Sequence, residues 1–123
     1  MKDTVLVVDD DPMIQKVVRQ ILEAEGLRVT AVADGDACIR EVENGFEGLI
    51  LMDIMMPGMN GWDTIQTLVD KGIVKGNLIC MMTADQIPDD RMKIYKEYVL
   101  DYVKKPFDIK KLVKLVKEYL SYL

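Results

Sequence analysis

Hydrophobic and polar positions follow two patterns that alternate along the chain. In the first pattern, short runs are mostly apolar, which predicts strands buried on both faces. These runs are residues 4–8, 27–32, 49–53, 77–83 and 100–104. In the second pattern, apolar residues recur three or four positions apart, which predicts amphipathic helices between and after the strands.

This alternation favours an α/β fold in which helices cover both faces of a parallel sheet. Right-handed crossovers and the chain length predict a doubly wound, flavodoxin-like (βα)5 topology with strand order 2-1-3-4-5. No linker, repeat or low-complexity segment interrupts the pattern. We therefore expect residues 1–123 to form one domain, with no output domain.

Capping residues and apolar stripes give finer expectations for the helices. Asp11 caps the first helix and Asp108 caps the last, because aspartate is a preferred N-cap residue. A further helix is predicted from Pro88 to about Tyr98. On the third helix, side chains expected to face water include Thr64 and Gln66, whereas Ile109 is expected to begin the core stripe of the last helix.

Composition narrows the classes of protein that the chain can belong to. The 123 residues are 50% hydrophobic and 30% charged, and no apolar run approaches the roughly 20 residues of a membrane span. A strand-like run begins almost at the N-terminus, which leaves no room for a signal peptide. We expect a cytoplasmic protein with no membrane partner.

The charged and reactive residues exclude further classes. A net charge of −5 weighs against a nucleic-acid partner, because phosphate binding uses basic faces. The chain has no histidine, which excludes histidine-based triads and imidazole metal ligands, so a bound metal would need oxygen ligands. Cys38 and Cys80 fall within apolar patterns and are expected to pack in the core.

Three carboxylates follow two strands that the topology makes neighbours. Asp9 and Asp10 follow the first strand, and Asp53 ends the third. Ligand sites of such sheets lie beyond the carboxyl ends of the strands. Asp53 alone could equally be a turn residue or a helix cap. The three acids together predict a Mg²⁺ site, because they repel one another unless a cation lies between them.

Polar side chains also fall at the ends of the last two strands. Thr83 offers a hydroxyl and Lys105 offers an ammonium group. An aspartate oxygen is a usable nucleophile toward phosphorus, and an ammonium group and a hydroxyl can share the charge of the phosphoryl transition state. The set of side chains is therefore suited to forming an aspartyl phosphate.

Across nearly its whole length the chain resembles the receiver domain of two-component response regulators, the CheY-like family. The motifs that carry this resemblance are residues 7–12, 52–61, 82–84 and 102–107. The resemblance implies that Asp53 is the phosphoacceptor. It also implies a Mg²⁺ site formed by Asp9, Asp10, Asp53 and the backbone carbonyl of Met55.

The same resemblance implies contacts of Thr83 and Lys105 with the phosphoryl group, a cis bond before Pro106, and Tyr102 as the switch aromatic. The implied reaction is transfer to Asp53 from a phosphohistidine on a sensor histidine kinase or phosphotransfer protein. No catalysis is expected beyond the chain's own phosphorylation and dephosphorylation. A downstream protein of unknown identity and a monomer or phosphorylation-dependent dimer are expected.

The family's output surface combines the fourth helix, the fifth strand and the last helix. The side chains expected there are Tyr95, Tyr98, Tyr102, Leu115, Tyr119 and the lysines of the last helix. The alternative is that the aromatic side chains are half-buried between helices and that the lysines are merely solvated.

The chain departs from the family pattern at a few positions. Tyr98 and Val99 stand where Gly-Ala is usual. Tyrosine does not easily adopt the left-handed conformation of a helix C-cap, so the fourth helix is expected to end differently or to be longer, which would change the output surface. Met55 and Asp85 occupy positions that tune dephosphorylation in the family. An apolar Met55 gives no hydrogen bond to an attacking water, which predicts slow loss of the phosphoryl group.

Other functions fit parts of the sequence. A haloacid-dehalogenase-type phosphatase also has an aspartyl nucleophile, but it needs a second aspartate where this chain has Met55. A flavodoxin-like cofactor binder needs a phosphate-binding loop after the first strand, where Asp9 and Asp10 would repel phosphate. A receiver-shaped interaction module that phosphorylation does not control stays open.

Overall fold

The computed structural model of the protein describes residues 2–84 and 97–123. Its strands are β1 Thr4–Val8, β2 Arg28–Val32, β3 Leu49–Asp53, β4 Leu78–Thr83 and β5 Val99–Lys104. The described helices are α1 Pro12–Glu23, α2 Gly35–Glu43, α3 Gly61–Asp70 and α4 Ile109–Leu120. Most of the helix predicted from Pro88, together with Asp85 and Tyr95, lies outside the described residues.

All strand pairs are parallel, and the sheet has the order β2-β1-β3-β4-β5. The predicted α/β fold and topology are therefore confirmed. Val8 pairs with Met52, and Asp53 pairs with Met82. Because the strands are parallel and in this register, the carboxyl ends of β1, β3 and β4 lie at the same end of the sheet.

The three central strands, β1, β3 and β4, are buried on both faces, in agreement with their apolar runs. The edge strands β2 and β5 are only partly buried. Side chains on one face pack with α2 and α3, whereas those on the other pack with α1 and α4. Cys38 lies in the first layer and Cys80 in the second, and both are fully buried. Burial raises the pKa of each thiol to about 12, so the prediction that these cysteines are packing residues is confirmed.

The helices begin where capping residues were expected. Asp11 Oδ1 accepts a hydrogen bond of 2.9 Å from the backbone N–H of Met13. Asp108 Oδ1 likewise accepts one of 3.1 Å from the N–H of Lys111. Each carboxylate satisfies one of the N–H groups that lack a partner within the helix.

Two expectations for helix faces are wrong. Thr64 is completely buried, and its hydroxyl donates to the Asn60 carbonyl at 2.9 Å. The reason is the close approach of α2, since a Cβ atom built on Gly35 would overlap the Thr64 hydroxyl. Ile109 is 59% exposed because it is the first residue of α4, where the helix has not yet reached the core layer. Gln66 is exposed, as predicted.

Strand β5 forms one edge of the sheet and contains an irregularity. Ile79 pairs with Val99, but the next residue of β4, Cys80, pairs with Asp101. Leu100 is therefore an extra residue, a β-bulge, and its side chain is 41% exposed.

Candidate functional site

The three predicted acids converge at the carboxyl ends of β1 and β3. One carboxylate oxygen from each of Asp9, Asp10 and Asp53 lies within 4.8 Å of the others. Asp9 is fully buried, Asp53 is 6% exposed and Asp10 is exposed. The site is therefore a cleft with a buried floor and one carboxylate at its mouth.

Asp9 is held by both its backbone and its side chain. Its N–H donates to Val32 in β2, and Oδ1 accepts from the N–H of Asp11 at 2.9 Å. The side-chain amide of Gln15 donates to the Asp9 carbonyl at 2.7 Å. Gln15 was not predicted to belong to the site; the only signal in the sequence was a polar residue in the early part of α1, on the side near the strand ends.

Lys105 supplies a positive charge between the two buried carboxylates. Its Nζ lies 2.6 Å from Asp9 Oδ2 and 3.5 Å from Asp53 Oδ1, and its side chain is 16% exposed. The backbone N–H of Lys105 donates to the Thr83 carbonyl at 2.8 Å, which joins the loop after β5 to the end of β4. The Lys105–Pro106 peptide bond is cis, as predicted.

Asp53 is a carboxyl group whose ionisation is disfavoured. Burial, and next the negative charge of Asp9, raise its pKa to about 6, whereas the Lys105 ammonium opposes the rise. Most Asp53 side chains are therefore ionised at neutral pH, in a site where negative charge has little solvation. The N–H of Met55 makes a long contact of 3.4 Å with Asp53 Oδ1.

The remaining predicted residues lie outside the acid cluster and differ in burial. Thr83 ends β4 next to β3 and is 6% exposed. Met55 follows Asp53 in the β3–α3 loop and is 74% exposed. Tyr102 is half-buried on β5 and packs against the layer of α2 and α3. Its backbone N–H donates to the Asp101 carboxylate at 2.8 Å.

A cavity of about 440 Å³ lies between β5 and α4. Its walls include Tyr102, Lys104, Lys111 and Leu115. Tyr98, Tyr102 and Tyr119 are half-buried, which agrees with the alternative for the aromatic side chains of the predicted output surface. Lys110, Lys111, Lys114 and Lys117 are exposed, and Lys117 pairs with Glu25 at 2.6 Å.

The acid cluster has a donor set that fits a hard divalent cation. Its side-chain donors are carboxylate oxygens, which Mg²⁺ prefers over nitrogen or sulfur. Among the described residues, three carboxylates face one ammonium group, that of Lys105, so the cluster gains from a further positive charge. The residues present therefore fit Mg²⁺.

Comparison with known proteins identifies the family to which the chain belongs. Residues 5–117 match the response regulator receiver domain. The chain belongs to the response regulator receiver family. The phosphatase and flavodoxin-like alternatives are thereby set aside, and the resemblance seen in the sequence is confirmed. Receiver domains are signalling switches rather than metabolic enzymes.

Two curated relatives illustrate the match. The DNA-binding response regulator MtrA of Mycolicibacterium smegmatis is 36% identical over 118 residues, which cover 95% of this chain and 50% of MtrA. The heme response regulator HssR of Staphylococcus epidermidis is 33% identical over 115 residues, which cover 94% of this chain and 50% of HssR. This receiver therefore spans about half the length of the curated relatives it matches.

Solved structures agree in fold over almost the whole chain. A CheY-like response regulator receiver domain protein from Methanospirillum hungatei JF-1 superimposes with a TM-score of 0.91 at 39% identity, covering 97% of this chain and 94% of that one. The receiver domain of sensor histidine kinase PA1611 from Pseudomonas aeruginosa PAO1 has a TM-score of 0.85 at 28% identity, covering 98% and 99%. That structure has a magnesium ion coordinated in its active-site cleft.

Among the residues that the structure describes, no helix is long and apolar enough to span a membrane. The DNA-binding activity in the name of MtrA refers to a protein of about twice the matched length. The expectation of no nucleic-acid partner for this chain stays a prediction.

Proposed function

We propose that this receiver is a phosphorylation-controlled switch in which Asp53 accepts a phosphoryl group from a phosphohistidine. The donor would be a sensor histidine kinase or a phosphotransfer protein. The observation that carries the proposal is the convergence of Asp53 with two other acids and the Lys105 ammonium in one cleft. An aspartate that served only as a turn residue would not need two further carboxylates and an ammonium group beside it.

Mg²⁺ would be held by Asp9, Asp10, Asp53 and the backbone carbonyl of Met55. When bound, it would offset the repulsion among the carboxylates and neutralise charge on the phosphoryl oxygens. Asp53 is thus expected to be phosphorylated only when Mg²⁺ balances the negative charge of the carboxylates and of the phosphoryl oxygens.

Asp53 would act as the nucleophile. One carboxylate oxygen forms the new bond to phosphorus while the phosphorus–nitrogen bond to the donor's imidazole breaks, and the imidazole nitrogen keeps the bonding electrons. The carboxylate must be ionised for this attack, which its pKa of about 6 allows at neutral pH. Since the group is buried, its ionised form is poorly solvated and well disposed to share its charge with phosphorus.

Lys105 and Thr83 would bind the transferred group. The ammonium of Lys105 already lies between Asp9 and Asp53 and can move to a phosphoryl oxygen as charge develops there. Thr83 ends the adjacent strand and would donate its hydroxyl to another oxygen. Positioning of these donors is expected to supply most of the rate enhancement.

The output would follow from the position of Thr83 beside β5. Movement of Thr83 toward the phosphoryl group would make space for Tyr102 to turn inward. Tyr102 packs on the layer of α2 and α3 and is also among the residues that line the cavity between β5 and α4, so its turning would alter the surface around β5 for a downstream protein. The phosphoryl group would in this way shift a two-state equilibrium.

Incubation with Mg²⁺ and acetyl phosphate tests the proposal. The expected result is a mass increase of one phosphoryl group that is absent in Asp53→Asn and absent without Mg²⁺. Asp36→Asn, which changes an exposed carboxylate of α2, is the matched control and should still be modified. A wild-type protein that folds and binds Mg²⁺ but gains no mass would favour the phosphorylation-independent interaction module.

A further inference from the structure

The first residue of α3 lies directly against the proposed phosphoacceptor. Gly61 has no side chain, and a Cβ atom built on it would be 2.5 Å from the Asp53 carbonyl oxygen and 3.1 Å from the Ile54 Cα atom. Ordinary contacts of a Cβ atom begin at about 3.4 Å. Any larger residue at this position must therefore push the helix and the strand end apart.

The strand end cannot absorb such a displacement freely. The N–H of Gly61 donates to the Ile54 carbonyl at 2.9 Å, which closes the β3–α3 loop. The N–H of Ile54 donates to the Met82 carbonyl at 3.1 Å, which ties the end of β3 to β4. The backbone after Asp53 is thus fixed on two sides, so movement away from Gly61 would carry Asp53 with it or break one of these bonds.

We propose that Gly61 is a positioning residue for the phosphoacceptor, because its missing side chain lets α3 begin against the Asp53 carbonyl and so sets where the Asp53 carboxylate lies relative to Asp9 and Lys105. Gly61 touches no reacting atom in this role. The inference rests on the proposed function for its readout, the phosphorylation of Asp53.

The other end of the same strand provides a matched comparison. Gly48 directly precedes β3, and a Cβ atom built on it would overlap the backbone carbonyl of Thr4. Both glycines therefore permit a close backbone approach next to β3. Only Gly61 has the phosphoacceptor's own carbonyl as the neighbour, because Gly48 lies at the amino end of the strand.

The experiment compares Gly61→Ala with Gly48→Ala in the whole chain. Phosphorylation by acetyl phosphate is followed by mass spectrometry over a range of Mg²⁺ concentrations, and each rate is divided by the folded fraction from circular dichroism. We expect Gly61→Ala to lower the rate at saturating Mg²⁺ by on the order of tenfold, because reacting groups displaced by a fraction of an ångström react slowly. Gly48→Ala should stay within about twofold of wild type per folded molecule.

A third variant separates the carbonyl contact from a side-chain contact. The Cβ atom at position 61 would also be 2.7 Å from Met81 Cε, and Met81→Leu removes that atom at nearly constant volume. Gly61→Ala combined with Met81→Leu should remain slow. Recovery of the wild-type rate in this double variant would overturn the proposal, because the side chain rather than the Asp53 carbonyl would then be responsible.

Equal rates per folded molecule for Gly61→Ala and Gly48→Ala would also overturn it. If Gly61→Ala is largely unfolded, the three variants are compared in trimethylamine N-oxide, which favours folded states. Failure of wild type itself to be phosphorylated is a separate outcome that contradicts the proposed function. The two failures are therefore distinguishable.

Discussion

Lys105 Nζ lies 2.6 Å from Oδ2 of Asp9, a carboxylate whose side chain is only 1% exposed. The ammonium group takes a place beside the same acid that would bind a divalent cation, so the two positive charges compete for it. Because Lys105 also approaches Asp53, we expect it to have two opposing effects. It should weaken metal binding and favour the proposed reaction at Asp53.

Replacement of Lys105 by methionine should separate these two effects. We expect Lys105→Met to bind Mg²⁺ several-fold more tightly at pH 8, because one competing charge is lost. The rate of phosphorylation should fall on the order of 100-fold, since a donor to the transition state is gone. Fluorescence of the single tryptophan, Trp62, which is 4% exposed in α3, would report Mg²⁺ binding.

Lys104→Met is the control for this experiment, because Lys104 is exposed on β5. Its Mg²⁺ affinity and phosphorylation rate should remain within about twofold of wild type. Weaker Mg²⁺ binding by Lys105→Met would contradict the idea that the ammonium and the metal compete for Asp9.

The pKa of Asp53 predicts how the stability of the metal-free protein depends on pH. Its pKa is about 6 in the folded protein and 3.8 is the ordinary value, so the folded state binds the proton more readily between about pH 4 and 6. The contribution of Asp53 to stability therefore falls as pH rises through this window and is constant above it.

Asp53→Asn removes a charge that the metal-free fold disfavours. We expect it to raise the free energy of unfolding at pH 8 by about 1–2 kcal/mol, less than the roughly 3 kcal/mol of the full pKa change because solvent in the cleft screens the charge. At pH 5, which lies between the two pKa values, the gain should be roughly half as large. Urea unfolding with a chelator present measures both values, and Asp36→Asn controls for the substitution. A gain that is larger at pH 5 would refute this assignment of the pH dependence.

Met55 is predicted to keep the phosphorylated state long-lived. Its side chain is 74% exposed beside Asp53 and offers no strong hydrogen bond to a water that attacks phosphorus. Met55→Asn supplies an amide at this position and should accelerate loss of the phosphoryl group on the order of tenfold. The decay is measured by mass spectrometry after the phosphodonor is removed.

Met13→Asn is the matched variant for Met55, because Met13 is also exposed, at 64%, near the start of α1. Its phosphoryl group should decay at the wild-type rate. If both variants lose the phosphoryl group equally faster than wild type, exposure of a polar side chain near the site would be the cause, and no specific role of Met55 would follow.

Asp101 on β5 is joined to α4 by a hydrogen bond with Tyr119. The hydroxyl of Tyr119 donates to Asp101 Oδ2 at 3.0 Å, and burial followed by this hydrogen bond raises the pKa of Tyr119 to about 12. Tyr119→Phe should therefore lower the free energy of unfolding by about 1 kcal/mol. Tyr122→Phe, at an exposed position with a long 3.4 Å contact to Glu118, should change it little. Equal effects in urea unfolding would contradict a structural role for the Tyr119–Asp101 bond.

The sheet and the acid cluster were predictable because they depend on rules of topology. Five mostly apolar runs separated by helices leave few arrangements, and parallel strands bring Asp9, Asp10 and Asp53 to one edge whatever the details of packing. Lys105 was expected at the site because it follows the fifth strand, whereas the cis bond before Pro106 followed from the family motif rather than from periodicity.

The parts that were missed depend on neighbours that periodicity does not describe. Thr64 is buried because α2 approaches closely at Gly35, a distance that no pattern within α3 reveals. The bond from Gln15 to the Asp9 carbonyl and the contact of Gly61 with Asp53 are likewise set by how elements meet. The position of Ile109 fits the helical period, but the period does not say where along α4 the core begins.

The bulge at Leu100 governs how the open edge of β5 can meet other molecules. A regular edge strand presents an even row of N–H and C=O groups on which a foreign strand can form a ladder. Here the extra residue breaks the spacing of that row, and the charged Lys104 lies on the same strand. A partner that docks at this edge must therefore recognise side chains, and uncontrolled extension of the sheet into aggregates is opposed.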